Sequence, residues 1–250
     1  MKTKSIILSL ITFFAIGTLY AQEPTSIPEI LTMHKNKKEF TALKKKKTIT
    51  RIPLFNGSDR SNWYTYTEKY GKNNDAAQQF AVQDGVLRFD GADMGYLCTN
   101  QSYENYYLRV VFRWGDTKYE PRLDDPRDSG ILYHFPETAD DGLWPTSIEC
   151  QIQEGDCGDY WCVGGTNADS PNTSRIEWDM KRIVKTANYE KPNPEWNVIE
   201  VICIDNKSEH YVNGQLVNHA YNLSVSKGKI LFQLEGAEVY YKTIEMIRLK

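Results

Sequence analysis

The run Ser147-Ile148-Glu149-Cys150-Gln151-Ile152-Gln153-Glu154 sets side chains able to do chemistry at alternate positions. In an extended strand successive side chains leave opposite faces, so Ile148, Cys150 and Ile152 point one way and Glu149, Gln151 and Gln153 the other. One face then belongs to a core, and the other carries a carboxylate beside amides. Such a polar row meets water, bonds to neighbouring strands or grips a ligand, because burying it unpaired is costly. Carbohydrate suits the last option, since its hydroxyls ask for alternating donors and acceptors. A plain solvated sheet face is the competing reading.

The flanking segments add groups. Upstream, Arg127-Asp128-Ser129-Gly130-Ile131-Leu132-Tyr133-His134 enters a second strand pattern, with Leu132 and His134 expected on one face and Ile131 and Tyr133 on the other. Downstream, Glu154-Gly155-Asp156-Cys157-Gly158-Asp159-Tyr160-Trp161 gathers three acids and two aromatics. Two carboxyl groups flanking a scissile bond can divide acid and base roles. Glu149, Glu154, Asp156 and Asp159 are the candidates, and His134 is the histidine near them in sequence. Arg127 and Gln151 are candidates to orient a sugar, and Trp144 and Trp161, in polar loops, suit stacking on one as well as burial. A divalent cation on carboxylate and amide oxygens is another reading, but no EF-hand or zinc spacing is present, so the metal is unknown. The absence of GxSxG, P-loop, GxGxxG and HExxH motifs removes the common serine hydrolase, nucleotide and zincin readings.

These groups need a scaffold, and the sequence predicts strands. Turn signals recur at Asn56-Gly57, Asp84-Gly85, Asp90-Gly91, Asp141-Gly142, Gly164-Gly165, Asn213-Gly214 and Lys227-Gly228. Period-2 or β-branched and aromatic patterns occupy residues 79–84, 86–90, 106–114, 130–135, 147–153, 196–204, 209–212, 215–218, 229–234 and 239–249. With no helical period between them, they predict an all-β, two-sheet antiparallel jelly-roll sandwich. Residues 117–128 and 155–194, rich in Gly, Pro, Asp and Asn, read as long functional loops. Trp63, Trp114 and Trp196 are expected in the core, and His210 and His219, flanking a hairpin turn, in solvent.

The chain of 250 residues has a net charge of −3, so no positive field exists to hold a nucleic acid. Lys2 and Lys4, the apolar residues 6–19 and Ala21 before Gln22 predict a signal peptide over 1–21, with a periplasmic or extracellular destination. A membrane span needs about 20 apolar residues, more than this run supplies. A polar, Lys-rich extension is expected over 22–51 and one folded domain over 52–250. Of five cysteines, Cys157 and Cys162 are the one pair placed for a bridge, and Cys98, Cys150 and Cys203 read as small buried hydrophobes.

Nine motifs fall in an order that resembles the 3-keto-disaccharide hydrolase domain family. They are Leu54-Phe55-Asn56-Gly57 with Trp63, Asp84-Gly85-Val86-Leu87, Gly95-Tyr96-Leu97, Asp128-Ser129-Gly130-Ile131, Glu149-Cys150-Gln151-Ile152, Glu195-Trp196-Asn197, Val212-Asn213-Gly214, Gly228-Lys229-Ile230 and the closing residues 239–249. The resemblance implies a concanavalin A-like sandwich of the secreted Bacteroidota type, and hydrolysis of glycosides oxidised at carbon 3 by elimination and hydration. It assigns acid and base roles among Glu149, His134 and Glu154, with Gln151 on the same strand. Where many members have Asn before Ser-Gly, this chain has Asp128. Substrate contacts are then expected from Arg127, Asp128, Gln151, Trp144, Trp161 and Asp159. The alternative is a non-catalytic carbohydrate-binding module of a polysaccharide-utilisation system, since lectin-like sandwiches often bind without cleaving.

Overall fold

The computed structural model describes residues 51–249. The expected signal peptide, 1–21, and all but the last residue of the expected Lys-rich extension, 22–51, lie outside the described residues. Among those described there is no helix, and hence none long and apolar enough to cross a membrane. Two antiparallel sheets pack face to face. The first runs in the order β15 (Gln215–Ala220), β14 (Lys207–Val212), β13 (Asn197–Ile204), β7 (Tyr106–Lys118), β17 (Ala237–Arg248), β5 (Val86–Phe89) and β4 (Phe80–Gln83), with β1 (Arg51–Pro53) also paired to β17. The second runs β11 (Ser174–Glu177), β12 (Met180–Ile183), β10 (Tyr160–Val163), β9 (Ser147–Gln151), β8 (Gly130–Phe135), β16 (Lys229–Glu235), β6 (Met94–Thr99), β2 (Trp63–Thr67) and β3 (Gly71–Lys72).

The inner faces of both sheets form one core that includes Leu108, Val110 and Phe112 from β7, Val239 and Tyr241 from β17, and Ile148, Cys150 and Ile152 from the β9 segment. The same alternation turns Glu149 and Gln151 to the outer face of the second sheet. Trp63 and Trp114 lie in the core as their patterns predict. Trp196 does not: it is half-buried, its ring flanked by the Arg113 and Lys242 cations at 5.3 and 4.9 Å.

Four further expectations change. His134 does not share the face of Leu132. Between β8 and β16, Tyr133 pairs with Ile230 and Phe135 with Lys229, so His134 is the extra residue of a bulge, at φ +60°. Its ring turns inward against Tyr106 and Tyr133, with Nδ1 3.2 Å from the Val225 carbonyl oxygen. His210 is also buried, because it lies two residues from the core Val212 on one strand face. It stacks on Tyr160 at 3.6 Å, and its ring nitrogens lie 3.0 Å from the Tyr133 hydroxyl and 3.1 Å from the Gly158 carbonyl oxygen. His219 is half-buried. Cys157 and Cys162 are free thiols, and burial raises all five cysteine pKa values. Finally, the stretch 155–194 is not a continuous loop; it supplies β10, β11 and β12, short strands whose order comes from pairing onto β9 rather than from a pattern of their own.

The buried histidines make the fold acid-sensitive. Burial lowers His134 from 6.5 to about 4 and His210 to about 3. The unfolded chain therefore takes up these protons first, and stability is lost as pH falls from about 6.5 toward those values. Each histidine contributes a slope of up to about 1.4 kcal/mol per pH unit in that window. Urea titrations between pH 7 and 4.5 should show the slope reduced by about one proton in His210→Gln; an unchanged slope contradicts the assignment.

Candidate active site

The outer face of the second sheet carries a cleft of about 440 Å³. One row of cross-strand neighbours gives its floor: Arg182 of β12 pairs with Trp161 of β10, Trp161 with Glu149 of β9, and Glu149 with Leu132 of β8. One end, where Gln151 pairs with Gly130 and Asp128 bridges to Glu235, is polar and acidic. The other, around Val163, Met180, Trp144 and Trp178, is apolar. Glu149 stands between the two ends.

At the acidic end Arg122, reaching in from the 119–129 loop, donates to Asp128 Oδ2 at 2.5 Å and from Nε to Glu235 at 3.0 Å, with a second, shorter contact to Glu235. Gln153 Nε2 donates to the same Asp128 oxygen at 3.0 Å, and Gln233 Nε2 donates to Glu235. Glu149 has no cation of its own. A Cβ on Gly130 would lie 2.0 Å from Glu149 Oε1 and 2.6 Å from Gln233 Oε1, so the missing side chain is what lets both groups settle over β8. Burial, and then the negative charges of Asp128 and Glu235, hold Glu149 well above the ordinary carboxylate range and so favour its protonated form. Burial also raises Asp128, helped by Glu235 and opposed by Arg122.

Four buried polar atoms in the cleft have no hydrogen-bond partner: Asp128 Oδ1, Glu149 Oε1, Gln233 Oε1 and Trp161 Nε1. Orphaned buried groups are uncommon in a folded protein, and four lining one hollow mark where a polar ligand belongs. Among the described residues no group of three or more His, Cys, Asp and Glu side chains is arranged to hold a metal ion.

The cleft thus unites Glu149, Gln151, Asp128, Trp144 and Trp161 from the sequence candidates. It does not include His134, which faces the core because of its bulge. Glu154 and Arg127 are spent on each other, at 3.0 Å through side chains and again through the Arg127 backbone, and they line the neighbouring loop instead. Asp159 lies fully buried behind the floor, where it accepts from Arg182 Nε at 2.7 Å and the Lys185 backbone at 2.8 Å. Arg182 in turn lies over the Trp161 ring at 5.3 Å, so Asp159 acts by fixing that indole's neighbour. Sequence reasoning missed Gln233 and Glu235, although Ile230-Leu231-Phe232-Gln233-Leu234-Glu235 alternates as β9 does. Arg122, Glu177, Trp178 and Arg182 carried no comparable signal, because they come from segments read as loops.

The model of the 3-keto-alpha-glucoside-1,2-lyase-like domain matches residues 50–247. The chain belongs to that family. A candidate glycosyl hydrolase from Parabacteroides distasonis shares the fold of this lyase-like domain, with a TM-score of 0.56 at 21% identity over 80% of this chain and 94% of its own. A second from the same organism gives 0.54 at 18%, over 80% and 99%. The kappa-carrageenase of Pseudoalteromonas carrageenovora, solved with a carrageenan oligotetrasaccharide, gives 0.51 at 13%, over 81% and 97%. No curated protein matches the chain. Family and fold are therefore those of glycoside hydrolase-like, concanavalin A-like sandwiches.

The proton on Glu149 has a measurable cost in the lyase-like domain. Below about pH 4.5 folded and unfolded chains both hold it; above that the unfolded chain releases it while the folded one does not, so the group's contribution to stability falls as pH rises. Glu149→Gln removes this dependence. Its stability relative to the wild type should rise by about 1.4 kcal/mol per pH unit above pH 4.5 until the folded group ionises. Parallel urea curves at every pH would show that Glu149 is not the proton carrier.

Proposed function

We propose that the cleft cleaves glycosides whose ring bears a ketone at carbon 3, by elimination across carbons 1 and 2. The observation that carries this reading is the set of unpartnered buried atoms around a protonated Glu149. A 3-keto group acidifies the hydrogen on carbon 2, so a base and an acid suffice. Asp128, anchored through Oδ2 by Arg122 and Gln153, has Oδ1 free to take that proton. The electron pair of the C2–H bond becomes the C1–C2 double bond, the glycosidic C1–O bond breaks, and Glu149 protonates the departing oxygen. The products are the free alcohol and a 1,2-unsaturated 3-keto sugar; adding water across that bond completes net hydrolysis. Gln233 Oε1 suits a sugar hydroxyl, and Trp161 Nε1 suits a sugar oxygen. Export to the periplasm or beyond goes with this reading, on the strength of the leader-like residues 1–21.

The purified protein, offered a 3-keto-glucoside, should release its alcohol. Glu149→Gln and Asp128→Asn should each lower kcat by about 100-fold or more. The two roles separate by isotope: in heavy water Glu149→Gln should still exchange the hydrogen on carbon 2, whereas Asp128→Asn should not. Release from neither enzyme nor variants, with saccharide binding intact, would leave the non-catalytic module as the function.

A further inference from the structure

The cleft's apolar end is unassigned by the reaction above, and its most exposed member is held at some conformational cost. Trp178 and Asp179 form the two-residue turn between β11 and β12, with φ +52° and +60°. Hairpin turns of this kind normally use Asn-Gly, because left-handed backbone crowds a Cβ, and a bulky residue there is a true outlier. The indole is also left 86% exposed, at the rim of the cleft. Trp144, 40% exposed, lines the same cleft, as do Met180 of β12 and Val163 of β10. The hairpin beneath is tied down: Arg182 reaches Glu177 at 3.3 Å and Asp159 at 2.5 Å, and Arg175 pairs with Glu177 as well. A strained, rigidly based turn presenting an apolar ring to water points to a ligand surface.

The register says which part of a substrate it meets. Ser147 pairs with Val163 at the apolar end of β9 and Gln151 pairs with Gly130 at the acidic end, with Glu149 midway. An acid in that position protonates a bond lying across the boundary, so the oxidised ring sits over Asp128 and Gln233 and the group beyond the scissile oxygen lies over Trp144 and Trp178. We propose that this aromatic end is a leaving-group site for a ring with a flat apolar face, a second sugar or an aryl group, and that Trp178 sets the preference for such ringed leaving groups. The proposal rests on the elimination reading for the direction of the substrate, but the aromatic site stands on its own geometry.

The test compares wild type, Trp178→Ala and Trp178→Asn on methyl, phenyl and glucosyl 3-keto-glucosides of one anomeric series. In both variants kcat/KM should fall about tenfold for the phenyl or glucosyl substrate and stay unchanged for the methyl one; which of the two falls identifies the leaving group. Trp178→Asn, suited to left-handed backbone, should melt no earlier than wild type. Equal effects on all three substrates, or none, would overturn the assignment. If wild type cleaves none of them, elimination fails and the site is judged by calorimetry with unoxidised phenyl and methyl glucosides. Tighter binding of the phenyl compound that disappears in Trp178→Ala then upholds the aromatic site, and equal binding of the two by wild type removes it.

Discussion

A carboxyl group buried without a counter-ion is the constraint around which the second sheet is arranged. An isolated charge in such a place is too costly to keep, so Glu149 takes a proton instead. Room for it comes from Gly130, over which its carboxyl lies, and Ser129 holds that stretch in place. The Ser129 hydroxyl is 2.7 Å from both the Gln233 carbonyl oxygen and the Tyr241 hydroxyl, tying β8 to β16 within the sheet and to β17 across the core. Asp128, Ser129 and Gly130 thus do three different things in three consecutive positions: one faces the cleft, one pins the sandwich, and one makes space by lacking a side chain.

How much of this is legible in sequence depends on whether position or partner decides a residue's place. Strict alternation in β9 is decided by position, and the core face of Ile148, Cys150 and Ile152 with the outer face of Glu149 and Gln151 follows from spacing alone. The fold class follows likewise from many such segments between turn signals. His134 shows the limit. One extra residue in β8 breaks the period without leaving a mark in composition, and the bulge exists because of how β16 pairs, with Gly228 sitting where any Cβ would meet the backbone of His134 and Phe135. Trp161 and Arg182 are ordered by β9 through successive pairings, so their four-residue strands, and the β11–β12 turn that carries Trp178, looked like loops.

The two faces of the second sheet divide labour accordingly. Inward, His210 is partnered at both ring nitrogens, by Tyr133 and Gly158, while His134 bonds through Nδ1 only. Outward, four polar atoms go without and a tryptophan occupies a left-handed turn. Four unpartnered polar atoms gathered along one hollow are what a site kept for a ligand would show.

Which carboxyl of the hollow holds a proton most readily is decided by Arg122 as much as by Glu149's own surroundings. Of the four carboxyl groups lining the hollow, Glu177 pairs with Arg175 and Arg182 at the far end, and Arg122 touches two of the other three, Asp128 and Glu235. With Asp128, Glu149 and Glu235 all ionised, the Arg122 guanidinium would face three negative charges in a setting where each unbalanced charge is heavily penalised. Burial raises Glu149 and Asp128 alike, but only Asp128 has the guanidinium drawing it back toward its ionised form. Moving the cation would move that balance: a guanidinium beside Glu149 would favour its ionised form, and Asp128 without one would rise further. The electrostatic asymmetry of the cleft is therefore written by a residue from a loop, while the strand that displays Glu149 supplies its position.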